Sequence, residues 1–251
     1  IKNGAKIIVS NLKFIGFNKN KILFIYSPDP RKLLSEVANT IYNYKPKNII
    51  AVTGTNGKTS ICNFFYQILN LNNVKVASIG TSGVQSKTFN IKTNNTTMDV
   101  INTHKILNKL KKINIDNVIL EASSHGLKQS RLDNINFNSA VFTNLSRDHL
   151  DYHKTFKDYL NSKLILFNEL LKKKGNIIYD EEILQSSFLN KISKKRKLKK
   201  YNLGLDNSFV KILSIQRLND CKKVKFSIKK KIYSFETTLI GNVQIKNLIF
   251  A

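Results

Sequence analysis

The stretch Asn48-Ile49-Ile50-Ala51-Val52-Thr53-Gly54-Thr55-Asn56-Gly57-Lys58-Thr59-Ser60 decides the fold. Its first five residues form a short apolar run rich in β-branched side chains, which reads as a buried strand. Ile61 to Leu71 reads as a helix. Between them lies a turn with two glycines, a lysine and several hydroxyls, the context that a phosphate-binding loop requires. Gly54 and Gly57 let the backbone turn tightly and bring N–H groups to face an anion. The helix N-terminus adds its partial positive charge. Lys58 can reach the β- and γ-phosphates of a nucleotide, and the Thr59 hydroxyl can ligate Mg²⁺. The pattern is the short G-x-x-G-K-T, because Thr53 and Val52 stand where the longer motif carries glycine. The alternative, a strand–helix turn with a chance lysine, does not account for motif and context agreeing.

Outward from this loop the same alternation continues. Upstream, Lys6 to Ser10 and Ile22 to Tyr26 read as strands. Ser27-Pro28-Asp29-Pro30 offers an N-cap and prolines suited to a first helical turn, and Leu33, Leu34, Val37, Ala38 and Ile41 recur at helical spacing until Tyr44-Lys45-Pro46. Downstream come a strand at 74–79, a helix at 99–113, strands at 118–120 and 140–143, a helix at 156–171 and a strand at 176–179. Strands alternating with helices imply βαβ units around a parallel sheet. Val210 to Gln216, Lys223 to Ile228 and Ile232 to Leu239 read as strands joined by short polar turns, an antiparallel edge. The chain then closes on a helix start at Gly241. The expected fold is therefore α/β and P-loop-containing, a mostly parallel sheet flanked by helices with a small antiparallel edge.

Composition narrows the function classes. The chain has 251 residues, 42 Lys plus Arg and 16 Asp plus Glu, a formal net charge of +26. Such a charge attracts nucleic acid. Yet the cations are 37 Lys against 5 Arg, and Asn (32) and Ile (31) are equally inflated, the signature of A/T-rich codons acting on the whole sequence. Arg, the better residue for bidentate phosphate and guanine contacts, is scarce. The charge reads as background, and the basic run Lys194 to Lys200 as a solvated loop or helix face. No apolar stretch is long enough for a transmembrane helix. Two cysteines, Cys62 and Cys221, make no disulfide framework, which suits a cytoplasmic protein. The chain opens on Ile1 and its single Met is Met98, so a missing N-terminal part is expected.

Further polar segments follow strands, and in an open parallel sheet ligands bind beyond the carboxyl ends of strands. Thr93 to Thr97 follows the second strand region. Glu121-Ala122-Ser123-Ser124-His125-Gly126-Leu127, with Gln129 and Arg131 behind it, follows another. Thr143-Asn144-Leu145-Ser146-Arg147-Asp148-His149-Leu150-Asp151-Tyr152-His153 follows a third. Glu121, directly after an apolar run, offers a hard oxygen to Mg²⁺; its alternative is a solvent-facing strand end. His149, between Asp148 and Asp151, reads as a metal or phosphate residue or as a hydrogen-bonded loop histidine. Lys163 lies within an amphipathic helix and has no distinction in so lysine-rich a chain.

The T-G-T-N-G-K-T loop resembles that of the Mur ligase superfamily, which includes peptidoglycan amino-acid ligases and folylpolyglutamate synthetase. The segments E-A-S-S-H-G-L-x-Q-x-R and T-N-L-S-R-D-H-L-D-Y-H look like those of the MurE type, the UDP-N-acetylmuramoyl-L-alanyl-D-glutamate ligases. The resemblance implies an ATP-dependent ligase that adds diaminopimelate or lysine to UDP-N-acetylmuramoyl-L-Ala-D-Glu through an acyl phosphate. It implies that Gly54, Thr55, Asn56, Gly57, Lys58, Thr59 and Ser60 hold ATP. Thr59 would bind one Mg²⁺, and Glu121 and His149 a second. Lys163 matches a lysine that is carbamylated in the family, and it joins Lys58, Glu121 and His149 as the catalytic set. Asn95, Thr96, Thr97, Ser123, Gln129 and Arg131 match positions that contact the muramoyl dipeptide. A monomer acting without nucleic acid or membrane is expected. The alternatives are a truncated, non-catalytic nucleotide-binding module and a folylpolyglutamate synthetase-like ligase.

The same resemblance divides the chain. Residues 1–47 resemble the end of a first, UDP-binding domain, and 48–251 the central ATPase domain; the C-terminal ligase domain is expected to be absent. Gly241 to Asn247 resembles the family's G-x-F-N-V-x-N element, with Asn247 kept as a nucleotide contact but Val243 and Gln244 in place of Phe and Asn. Tyr179-Asp180-Glu181-Glu182 replaces an N-A-D-D-like sequence. These departures fall on the adenine side.

Overall fold

The computed structural model describes residues 4–18, 21–149, 151–204, 206 and 208–251, so Leu150 of the second long motif lies outside the described residues. The chain opens with β1 (Ile7–Ser10), β2 (Gly16–Phe17) and β3 (Leu23–Tyr26), a small sheet in the order β1-β3-β2. Helix α1 (Pro30–Ile41) follows, capped by Asp29, whose carboxylate accepts from the backbone N–H groups of Arg31 and Lys32. Pro30 sits in the first turn, where its missing N–H costs nothing.

The main sheet begins at β4 (Asn48–Thr53), followed by α2 (Lys58–Leu71), β5 (Val76–Gly80), β6 (Gly83–Ser86), α3 (Val100–Lys112), β7 (Asn117–Glu121), the short α4 (Ser124–Lys128) and β8 (Phe137–Phe142). Then come α5 (Phe156–Ile165), a π-helical turn at Leu166–Leu170, β9 (Leu171–Asp180), α6 (Ser186–Arg196), β10 (Lys199–Leu203), β11 (Val210–Arg217), β12 (Lys222–Ile228), β13 (Lys231–Thr237) and α7 (Asn242–Phe250). The ten strands run in the order β13-β12-β11-β10-β9-β8-β4-β7-β5-β6. The pairs from β11 through β10, β9, β8, β4 and β7 to β5 are parallel. The antiparallel edge β11-β12-β13 lies where the sequence puts it, and β6 adds a second antiparallel strand at the opposite edge.

The core explains the strand patterns. Ala51, Val52, Val118, Ile119, Leu120, Ala140, Val141 and Phe142 are all nearly inaccessible. They come from β4, β7 and β8, central strands covered on both faces, hence continuous apolar runs and not alternation.

Two expectations are corrected. The helix expected over 156–171 stops at Ile165. Its apolar spacing continues, but the backbone widens into the π-helical turn, and the Arg196 guanidinium donates to the carbonyls of Phe167 and Leu171, at 2.5 and 2.7 Å. Strand β9 starts at once, at Leu171, with no connecting loop. That same arginine belongs to the basic run expected to be a solvated loop or helix face; its lysines are exposed as expected, and Arg196 is the basic residue that departs. Part of the run ends α6 and part begins β10, neither of which the sequence reading assigned.

Candidate functional site

Register sets the site. Val52 of β4 lies opposite Glu121 of β7, and Thr53 lies opposite Phe142 of β8, so three parallel strands end side by side. After β4 the chain crosses toward β5, and after its neighbour β8 it runs the other way, to β9. The loops that leave these neighbours in opposite directions open a crevice at the carboxyl edge of the sheet. The phosphate loop sits there.

Its backbone accepts no substitute for glycine at Gly54. There φ is +144°, and an added Cβ would stand 1.8 Å from Thr143 Oγ1. Thr143 follows β8 and donates to the Asn56 carbonyl at 2.6 Å; Asn144 accepts from the Asn56 N–H at 3.0 Å. The Thr55 N–H donates to the Asn144 carbonyl. The β8 loop thus holds the phosphate loop from one side. From the other, Asn247 of α7 rests over Gly57 (φ +89°), its Oδ1 only 2.8 Å from where a Cβ would be. The sequence reading places Asn247 at the nucleotide, and the fold brings it onto the loop. Ser60 lies in the first turn of α2.

Two lysines converge on one carbonyl. Lys58 Nζ donates to the Gly54 carbonyl at 3.0 Å and to that of Thr55 at 2.7 Å; Lys163 Nζ donates to the same Gly54 carbonyl at 2.8 Å. Lys163 is 1% exposed and lies 4.4 Å from the centre of the Tyr159 ring, one helical turn before it. Burial, with Lys58 beside it, lowers the Lys163 pKa from 10.5 to about 7, against the opposing pull of Asp148. Burial also lowers Lys58, with Glu121 and Asp148 acting the other way. Tyr159 shares a hydrogen bond of 3.1 Å with the Thr55 hydroxyl.

Beside the lysines, the buried Glu121 carboxylate accepts from the Thr59 hydroxyl at 3.0 Å and from the Thr81 N–H at 2.9 Å. A hydroxyl and a carboxylate are hard oxygen donors of the kind Mg²⁺ takes while keeping several of its waters. Among the described residues no three His, Cys, Asp or Glu side chains form a ready metal cage. His149 stands in a separate cluster, with φ +53°, 3.6 Å from Asp148, its ring 5.1 Å from that of His125 and 6.1 Å from that of Tyr159. The two residues expected to share one ion therefore belong to different contact groups flanking the loop.

The expected substrate residues gather, with one exception. Thr97 donates to the Glu121 carbonyl and accepts from the Ser123 N–H; Ser123 caps α4 through the Gly126 N–H. Arg131 donates to the Thr97 carbonyl at 2.7 Å and, through Nε and Nη2, to Gln129 Oε1. Thr96 joins them to the Glu121 carboxylate through a 3.1 Å contact with the Thr81 hydroxyl. Asn95 stands apart, on the wall of a cleft of about 490 Å³ lined also by Phe89, Lys92, Lys105 and Lys109.

The departures from the family pattern form a frame of their own. Lys246 of α7 bridges Asp180 at 2.6 Å and Glu182 at 2.7 Å, while Glu181 accepts from Lys200, Asn190 and Asn202. Tyr179 is buried and donates to Asn190 at 2.7 Å. Val243 is exposed, and Gln244 accepts from Asn247. Residues that the sequence reading did not single out are Thr81 and Tyr159, and Thr143 is quoted in its segment without a role. Tyr159 carried a signal, four residues before Lys163 on one helix face.

Comparison with known proteins agrees with this arrangement. Residues 52–251 match the Mur ligase middle domain family. A protein of Rickettsia bellii named UDP-N-acetylmuramoyl-L-alanyl-D-glutamate--2,6-diaminopimelate ligase is 38% identical over the whole chain, which covers 53% of that relative; one of Rickettsia montanensis with the same name is 37% identical, with 52% of it covered. A solved structure of a ligase of that name superposes with a TM-score of 0.80 at 28% identity, over 90% of this chain and 47% of the other. The chain spans about half the length of the curated relatives it matches. With four-fifths of its residues inside the middle-domain match and its phosphate loop framed by both long motifs, the chain belongs to the Mur ligase family.

Proposed function

We propose that this chain carries the ATP-handling centre of a ligase that joins 2,6-diaminopimelate to UDP-N-acetylmuramoyl-L-Ala-D-Glu in peptidoglycan synthesis. The observation that carries the reading is the convergence of Lys58 and Lys163 on the Gly54 carbonyl, beside the Thr59–Glu121 pair. The relatives' names supply the substrates. The loop N–H groups and Lys58 hold the phosphates of ATP and neutralise charge as a phosphoryl group moves to the D-Glu carboxylate. The amine of the incoming diamino acid then attacks the acyl phosphate, forming the amide and releasing phosphate. Thr59 and Glu121 on one flank of the loop, and His149 on the other, are the residues that would hold Mg²⁺, which when bound would supply further charge neutralisation. Gln129 and Arg131 orient the dipeptide carboxylate.

Lys163 is the carbamylated residue of this reading. Its lowered pKa leaves a neutral amine available near pH 7, the form that adds CO₂ with loss of a proton, and the carbamate so formed is an anion beside Lys58. Residues 1–47 form the tail of a uridine-binding domain and 48–251 the ATPase domain. The protein works as a cytoplasmic monomer; no described helix is long and apolar enough to cross a membrane. The test is ATP-dependent phosphate release by the complete gene product with UDP-N-acetylmuramoyl-L-Ala-D-Glu and diaminopimelate. Release that needs both co-substrates supports the reading. Nucleotide binding without release would make the protein a non-catalytic module, and release with folate and glutamate instead would make it a folate-type ligase.

A further inference from the structure

Three of the four histidines, His125, His149 and His153, crowd around Tyr152 and Tyr159. His153 is the fully buried one of the three. Its Nδ1 lies 3.4 Å from the Asp158 carboxylate, which places the proton on Nδ1 and leaves Nε2 to accept from the Ser124 hydroxyl at 3.0 Å. The serine–histidine–aspartate order is that of a nucleophile relay, but Ser124 is only 2% exposed, so no substrate carbonyl can reach its oxygen. The relay geometry serves another end.

Helix α4 has five residues, too few to hold its own orientation. It is tied by three contacts to the stretch entering α5. Ser124 meets His153, Lys128 meets Asp158 at 2.5 Å, and Gln129 meets the Tyr152 hydroxyl at 3.0 Å. The Lys128–Asp158 pair is about one-third exposed and contributes little. The His153–Ser124 bond is the buried one. On its other side the His153 ring packs 5.1 Å from Tyr159, which meets both Lys163 and the Thr55 hydroxyl. His153 therefore touches, at once, the segment that presents Gln129 and Arg131 and the aromatic floor under the catalytic lysine.

We propose that His153 is a positioning residue that holds the α4 segment, with Gln129 and Arg131, in register with the phosphate loop; the role in ligation rests on the function proposed above. The experiment uses the complete gene product and three variants, His153→Ala, His153→Gln and Ser124→Ala. Steady-state kinetics should show KM for the UDP-muramoyl dipeptide raised about tenfold in His153→Ala, with KM for ATP within about twofold. The glutamine amide reaches as far as Nε2 and can accept from Ser124, so His153→Gln should recover most of the loss. Ser124→Ala, a small change that leaves the fold in place, should reproduce the His153→Ala split. Amide exchange over Gly126 to Arg131 should quicken about tenfold in His153→Ala while α2 is unchanged. Equal rises in both KM values, no recovery by glutamine, or unchanged exchange in α4 would each overturn the proposal. A wild type that does not ligate sinks the functional reading instead, and exchange in α4 then decides the tie by itself.

Discussion

Lys163→Met should change the pH dependence of stability in a stated direction. The Lys163 ammonium is 1% exposed and has the Gly54 carbonyl as its hydrogen-bond acceptor, shared with Lys58. Burial and Lys58 bring its pKa from 10.5 to about 7. At about 1.4 kcal/mol for each tenfold change in proton affinity, that fall corresponds to ~5 kcal/mol. Below pH 7 both folded and unfolded chains hold the proton, so the folded chain carries the whole cost of a buried charge. From about pH 7 to about pH 10.5 the unfolded chain binds more protons than the folded one, so wild-type stability gains up to ~1.4 kcal/mol per pH unit. Methionine has no such titration. Whatever offset the lost contacts give, the stability of the variant relative to wild type should fall by about 2–3 kcal/mol between pH 6 and pH 9. Denaturant midpoints of both proteins at four pH values measure it. The buffers must be free of CO₂, which would add to the neutral amine and change the group under test. A difference between the two proteins that stays constant from pH 6 to pH 9 would refute the reasoning, because it would mean that Lys163 titrates alike folded and unfolded.

Other outcomes follow from the same geometry. Gly54→Ala sets a Cβ against Thr143 Oγ1 at a φ that L-residues avoid, so it should cost about 1–3 kcal/mol of stability and abolish thermal stabilisation by ATP. Retained ATP stabilisation would show that the loop has another conformation. Glu121→Gln keeps an acceptor for the Thr81 N–H, and the Thr59 and Thr81 hydroxyls can turn to accept from the new amide. Its Tm should move little, while the Mg²⁺ needed for half-maximal ATP stabilisation rises about tenfold or more. An unchanged Mg²⁺ requirement would remove Glu121 from the metal site.

The parallel sheet and its loop were legible because central strands announce themselves by continuous apolar runs, and Ile49 to Val52, Val118 to Leu120 and Ala140 to Phe142 are all of that kind. Helix α6 and strand β10 were not. The run Lys194 to Lys200 interrupts both periodicities, and the contacts of Arg196 with two carbonyls on the π-helical turn depend on residues some 25 positions away. Thr81 was hidden for a similar reason. A lone threonine after a strand has no pattern, and its N–H meets Glu121 only because β5 and β7 are neighbours. Of the candidate residues, the loop set could be read from spacing. The grouping of Thr97, Ser123, Gln129 and Arg131 needed the resemblance first and the fold afterwards.

Lysine 163 shows what composition conceals and burial restores. With 37 lysines in the chain, residue type distinguishes none of them, and its helical position would suit a solvated face. Yet Lys163 is the one lysine that is fully buried among the described residues. A drift toward lysine acts on every codon, but a folded interior accepts an ammonium only where something offsets the loss of water. The offset here is incomplete: a single shared carbonyl and an aromatic face do not repay desolvation, which is why the amine loses its proton so readily. A merely structural lysine would gain from a carboxylate at that point, or be replaced by an apolar side chain of similar volume. A site that keeps the amine buried, about half neutral near pH 7 and aimed at the phosphate loop is what the carbamylation proposed above requires.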